Sequence, residues 1–452
     1  MIFAKQALTA TGWGKNIRIS VRGGRILTVS PDQTPQATDV QVDVLLPALA
    51  NLHSHSFQRA MAGMTEHRKA GKDSFWTWRD MMYRFTKHLT PEHIEAIAAL
   101  VFMEMQEAGY ASVGEFHYVH HQPDGTAYDD LGELSARIAA AAADTGIGLT
   151  HLPVLYTYGG AGQAPLQAGQ ARFGNTVDRF NALSARARAI VATLPDDCQV
   201  GIAPHSLRAT CPDDLVAVLQ AHDAGPVHIH IAEQPKEVAD IAGWLSARPV
   251  EWLLQNADVS TDWCLIHATH MTSGETQNMA KSGAVAGLCP ITEANLGDGP
   301  FNGPTYLLHG GAFGIGSDSN VLISLTEELR TLEYSQRLRD MARNVMVDGE
   351  GSIGETLYCG AARGGAQALG RGAGVIAVGE WADLVAIDSA DPALCALPAQ
   401  QLLDGLCFAA RDRVITDVWS AGRHCVQAGK HVKSDQITAA YRSAMCSLMS
   451  VL

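Results

Sequence analysis

The chain has 452 residues, 47% hydrophobic and 18% charged, which excludes wholesale disorder and exceeds what one simple core needs. A net charge of −14 and a pI near 5.7 argue against broad binding to nucleic acid or to an acidic membrane. Nine scattered cysteines, none in a Cys-x-x-Cys, read as reduced thiols of a cytoplasmic protein and not as a disulfide framework or a structural zinc site.

Residues 1–45 predict short strands. Residues 16–21 alternate, Gly23-Gly24 supplies a turn, 25–29 form a second apolar run, and Val40, Val42, Val44 and Leu46 alternate with polar neighbours. No basic segment followed by an apolar stretch opens the chain, and no apolar run reaches about 18 residues, so neither a secretory signal nor a membrane span is expected.

From residue 46 the pattern changes. Strand-like runs at 49–53, 111–116, 148–155, 200–205, 227–232, 263–267, 284–288 and 312–317 alternate with helical stretches at 91–108, 131–145, 177–193, 212–222, 235–255, 273–281 and 325–345. Pro91 and Pro212 suit the first turn of a helix. Eight buried strands with helices between them predict an α/β fold, a (β/α)8 TIM-like barrel over 46–373. The remainder returns to strands at 375–378, 383–387, 414–421 and 423–426, then an amphipathic helix at 434–449. These strands are expected to join those of 1–45 in a small β-sandwich domain, built from the N-terminal segment and from 374–452. Gly159-Gly160-Ala161-Gly162 predicts a loop after the third strand; no Lys or Ser/Thr completes a P-loop there.

Such barrels carry their chemistry at the C-terminal ends of the strands. Strand one ends in His53-Ser54-His55, whose two-residue spacing puts both imidazoles on one face. By itself that pair fits a metal site, a solvated loop or two core histidines. Strand four ends in Pro204-His205-Ser206-Leu207-Arg208, strand five in His228-Ile229-His230 with Glu233 beyond, strand six in His267-Ala268-Thr269-His270, and strand eight in Ser317-Asp318. His228 shares the face of His230 one layer lower and reads as an interior filler. Glu233 alone would also suit the start of a helix, where a carboxylate is favoured. Asp318 alone would suit a turn or N-cap. Core packing is the ordinary reading of His267 and His270.

Together these residues resemble the amidohydrolase superfamily, in its branch of deaminases that use one metal ion. The match covers nearly the whole chain and includes 379–385 and 418–422, which are similar to that family's return into its second domain. Ala48 departs from the glycine often found after the proline. The absence of a strand-four lysine near His205 favours one metal over two. Within the superfamily, 51–63, 75–79, 115–120, 204–208 and 267–270 resemble the formiminoglutamate deiminases.

The resemblance implies one divalent ion, zinc first, held by His53, His55, His230 and Asp318, with a position open for water. It implies proton handling by Glu233, His267 and Asp318. The substrate would be a small-molecule dicarboxylate, which the net charge opposes. Arg79 and Arg208 are therefore expected to clamp the carboxylates, with Gln58, Tyr118 and His205 as further contacts. Trp76 and Trp78 read as packing. A cytoplasmic homodimer is the implied state. The other readings are a related deaminase of a guanine, cytosine or adenosine type of substrate, and a barrel without activity serving as a scaffold.

Overall fold

The computed structural model describes residues 1–67, 74–347 and 349–451. The eight apolar runs form a parallel barrel: Leu49–Ser54, Tyr110–His117, Gly148–Leu155, the split strand Gln199–Val200 and Ala203–Pro204, Val227–Ile231, Trp263–His267, Val285–Leu288 and Ala312–Ile315. Strands one to four make one arc and strands five to eight the other. The arcs meet through single rungs, Ile202 with Val227 and Ser206 with His230 on one side, Ser54 with Asp318 on the other.

Several expected elements end differently. The fourth strand is interrupted because its middle changes partner: Gly201 N donates to His151 O, but Ile202 N donates to Pro226 O. The stretch 235–255 is two helices, Pro235–Leu245 and Pro249–Asn256; Ser246 takes a left-handed conformation and Pro249 starts the second. The helix from Leu325 stops at Asp340, where Met341 is left-handed with φ of 51°. Residues 375–378 are not a strand; Ile376 instead accepts from Ala10 N through its carbonyl.

The long helix Ile353–Ala368 lies outside the expected set, as do the short helices Pro290–Leu296, Gly303–Leu308 and Leu402–Phe408. The glycines of Ile353–Ala368 are poor helix formers, but packing requires them. A Cβ on Gly364 would stand 1.9 Å from the carbonyl oxygen of Phe313 in strand eight. Leu369, just beyond the helix, is fully buried with Ala50, Leu52, Cys264, Ile266 and Val285 and helps fill the barrel interior. His228 Nε2 lies 2.7 Å from the Ala368 carbonyl oxygen, a lower-layer filler as its spacing predicts.

The terminal segments share one eight-stranded sheet. Its central pairing is antiparallel, between Val40–Pro47 and Leu384–Ile387, and the former strand leads directly into the barrel. Sheet and barrel are also tied by charge. Buried Arg371 bonds Asp383 through Nε at 2.6 Å and Asp197 through Nη2 at 2.9 Å. Arg423 reaches the same Asp197 at 2.6 Å. The helix Ser434–Met449 packs on Pro91–Glu107, and all nine cysteines are free.

Among histidines that do not line the cleft, His117, His120 and His151 are fully buried, and desolvation holds each well below the usual 6.5, His151 at about 3. An unfolded chain takes up protons near 6.5 where the folded chain does not. Each histidine therefore costs about 1.4 kcal/mol per pH unit below that value, roughly 4 kcal/mol for the three. The urea midpoint is expected to fall steeply between about pH 7 and pH 5.5. An unchanged midpoint would contradict the burial of neutral imidazoles.

Candidate active site

The strand ends converge on one cleft. Its empty space is about 550 Å³ including the mouth, and its walls include His55, Gln58, Arg79, Tyr118, His205, Arg208, His230, Glu233, His267 and Asp318. His53 lies just beneath, fully buried. All ten of these lining residues come from the sequence-based set. His270 does not line the cleft; it is half-buried, and its Nε2 has no hydrogen-bond partner.

Local backbone geometry aims these side chains. Strand one slips register between Asn51 and Ser54. Such a bulge re-aims the side chains that follow it; here Leu52 packs in the interior while His53 and His55 also face inward. His267 has φ of 67° and Asp318 φ of 45°. Left-handed backbone costs about 1–3 kcal/mol for a residue with a side chain and collects at functional sites. At His267 it turns inward a ring that would otherwise alternate away from Ile266.

His53, His55, His230 and Asp318 bring one donor atom each to within 4.8 Å of the others. His53 Nε2 stands 3.1 Å from His230 Nε2 and 3.4 Å from Asp318 Oδ1, and His55 Nε2 is 3.3 Å from the same oxygen. Tetrahedral ligands about 2.1 Å from a zinc ion stand about 3.4 Å apart. Two outer hydrogen bonds set the tautomers. His55 Nδ1 lies 2.8 Å from Phe116 O, and His230 Nδ1 lies 3.0 Å from His205 O. A carbonyl only accepts, so both Nδ1 atoms carry the proton and both Nε2 atoms point a lone pair inward. Burial keeps the three imidazoles neutral, His53 at about 3. Asp318 lies below the usual carboxylate range: burial opposes this, and the hydrogen bond of His53 together with the charge of protonated His267 outweighs it. Converging lone pairs beside an ionised carboxylate fit a divalent cation, and three nitrogens with one oxygen suit zinc.

Glu233, just past strand five, is buried and pushed up to about 7, chiefly by desolvation. His267 Nε2 stands 3.7 Å from Glu233 and 3.8 Å from Asp318, while its Nδ1 is 3.2 Å from Glu293. Burial would lower His267, but Glu233, Glu293 and Asp318 together raise it to about 10.

The arginines differ from one another. Arg208 is paired with carboxylates, its Nη2 donating to Glu233 at 3.2 Å and its Nε standing 3.7 Å from Glu237 with no hydrogen-bond partner. Arg79, on the helix Phe75–Thr86, lies over Trp76 at 4.6 Å and Tyr83 at 5.4 Å, and its Nε has no hydrogen-bond partner. Trp76 thus stacks on a cation as well as packing. Gln58 donates to Tyr118 Oη at 2.7 Å, leaving its own buried carbonyl oxygen without a partner. His205 bonds Ser206 Oγ at 2.9 Å through Nδ1.

Glu237 and Glu293 escaped the sequence reading. Each sits in the first turn of a helix that begins with proline. There an acid looks like a helix-start residue, and only a Pro-x-x-Glu or Pro-x-Glu placed after a barrel strand marks it out.

Comparison with known proteins follows the same lines. A model described as amidohydrolase family matches residues 44–425, and one described as formimidoylglutamate deiminase HutF, N-terminal domain, matches residues 1–42. The chain is 48% identical over 451 residues to formimidoylglutamate deiminase of Pseudomonas aeruginosa, 99% of each chain being covered. It is 47% identical to the crystal structure of an amidohydrolase from Brucella melitensis, with a TM-score of 0.94 and 99% of each chain covered. A 5-methylthioadenosine/S-adenosylhomocysteine deaminase of Natronomonas pharaonis is 26% identical over 420 residues, 91% of this chain and 87% of that one.

Proposed function

We propose, from the premise that the chain belongs to the amidohydrolase family, that it hydrolyses N-formimino-L-glutamate to N-formyl-L-glutamate and ammonia in histidine degradation. The observation that carries this reading is Arg79, a cation without a carboxylate partner among the described residues, opening into the cleft of the His/Asp cluster. A planar nucleobase has no use for it; a dicarboxylate does. The 48% identical relative supports the same substrate.

Zinc held by His53, His55, His230 and Asp318 would acidify a water molecule from a pKa of about 15.7 to about 7. The remaining steps belong to side chains. Asp318, ionised, takes a proton from water as the oxygen adds to the formimino carbon. His267, between Glu233 and Asp318, holds that water and the charge that develops. Glu233, with its affinity raised to about 7, is protonated in part of the molecules at neutral pH and in that form gives its proton to the formimino nitrogen. The tetrahedral carbon then collapses: the C–N bond breaks, Asp318 returns its proton to the departing ammonia, and the hydroxyl proton restores Glu233. Arg79 and Arg208 hold the carboxylates, and Gln58, Tyr118 and His205 complete the walls. Residues 46–373 would carry this chemistry, with 1–45 and 374–452 as the accompanying β-domain.

The test is ammonia release by zinc-loaded protein from N-formimino-L-glutamate, adenosine, guanine and cytosine. Release from a base with none from formiminoglutamate overturns the proposal. Arg79→Ala is expected to raise KM for formiminoglutamate about 10- to 100-fold with kcat little changed. That is the loss of one charge-assisted contact of about 1.5–3 kcal/mol. Initial-rate kinetics decide it, since an unchanged KM removes Arg79 from the carboxylate site.

A further inference from the structure

We infer that Asn320 is a positioning residue for the metal centre: with Asn51, Ser54 and Ser317 it locks the ends of strands one and eight together and so fixes, through the backbone, where His53 and Asp318 stand. The inference rests on the metal reading above. Outer hydrogen bonds hold the rings of His55 and His230, but His53 Nδ1 has no partner. The Asp318 carboxylate likewise faces histidines, His53 and His55 through Oδ1 and His267 through Oδ2. For these two ligands the structure supplies a hold on the backbone instead.

The residues interleaved with the ligands make that hold. Asp318 N donates to His53 O, and Asp318 O accepts from His55 N, both at 2.9 Å. The strands run so close here that a Cβ on Gly316 would stand 2.7 Å from His53 O. Asn51, Ser54, Ser317 and Asn320 have no exposure, and their side chains form one directed chain. Asn51 Oδ1 accepts from Ser317 N at 3.1 Å, while its Nδ2 donates to Ser317 Oγ at 2.7 Å. Ser317 Oγ donates to Asn320 Oδ1 at 2.6 Å. Asn320 Nδ2 donates to Ser54 Oγ and to Asp318 O, each at 3.1 Å. The Ser54 hydroxyl bonds in turn to the Glu115 carboxyl, which also accepts from Ser56 N at 2.8 Å. A buried network satisfied in this way selects one arrangement of the elements it joins. Asn320 suits its place twice over. Its φ of 55° is left-handed, which asparagine accepts more readily than most residues, and its amide can accept from one serine while donating to the other.

Zinc affinity, measured on the folded protein by competition with a chelator, tests the inference. Asn320→Gly keeps the left-handed backbone and removes the amide. Ser317→Ala cuts the chain at its middle and leaves every ligand side chain in place. Each is expected to weaken zinc binding by about 10- to 100-fold, the usual worth of a group that orients ligands from outside. The visible absorption of the cobalt(II)-loaded variants should differ from that of the wild type, because the ligand geometry differs. Gln106→Leu is the control. It removes another fully buried amide–serine bond, from Gln106 Nε2 to Ser420 Oγ at 3.0 Å, and should keep the wild-type affinity and spectrum. Affinity within about threefold of wild type in either folded variant overturns the inference, as do an unchanged cobalt spectrum and an equal loss in Gln106→Leu. An Asn320→Gly chain that does not fold leaves the decision to Ser317→Ala. If the wild type binds zinc and the variants match it, this inference alone falls. If the wild type binds none, the metal reading falls and takes the inference with it.

Discussion

Replacing Glu233 by Gln lowers kcat by about 10²- to 10⁴-fold while the bound metal stays in place. That is the usual worth of a positioned proton donor. Glutamine keeps the size and a hydrogen bond to Arg208, but it holds no transferable proton. Glu233 belongs to none of the clustered donors of His53, His55, His230 and Asp318, so metal content should match the wild type. Parallel kcat and metal measurements decide the matter. Full turnover would end the proton-transfer role. A variant that loses its metal would show Glu233 acting on the ligands instead. The competing view, that Glu233 merely starts a helix, is answered by the neighbouring side chain. Glu237 already accepts from the Glu233 amide at 3.0 Å and serves that helix start.

Arg371→Met is expected to destabilise the fold by about 3–5 kcal/mol, because it leaves buried carboxylates short of their counter-charge. The side chain of Arg371 is 3% exposed, those of Asp197 and Asp383 1% and 2%. Burial alone would raise Asp197, but Arg423 and Arg371 hold it below the ordinary 3.8. Its contribution is therefore present above that value and fades as pH falls through the lower one. Denaturant unfolding near neutral pH measures the loss, and a change under about 1 kcal/mol would refute it. Arg371→Lys should recover little, since one ammonium cannot replace a fork that bonds two carboxylates. Neither substitution touches the cleft, so activity per folded molecule is expected to hold.

The barrel was legible because its strands are buried on both faces and read as apolar runs. Helix limits were less so. Ser246 and Met341 leave the helical region without the glycine that usually marks such an exit. The helix Ile353–Ala368 was obscured by glycines kept for close contact with strand eight. At the site, histidines and an acid placed at strand ends were readable by period and position. The engagement of Arg208 was not. Two arginines look equivalent in a sequence, and only the fold brings Glu237 to one of them and leaves the other over Trp76. Likewise, nothing in Pro290-Ile291-Thr292-Glu293 announces that Glu293 will reach back to His267.

The central rung of the terminal sheet bears on how the chain is made. Val40–Pro47 is among the first strands to be synthesised, yet its partner on one side is Leu384–Ile387. While the whole barrel is being translated, that edge presents unpaired amides and carbonyls. The four early strands therefore wait with an adhesive border, and the sheet closes only near the end of synthesis. Contacts so distant in sequence are slow to form. The ladder that closes this gap also holds the strand that feeds the first pair of histidines, so the late part of the chain supports the entry to the cleft.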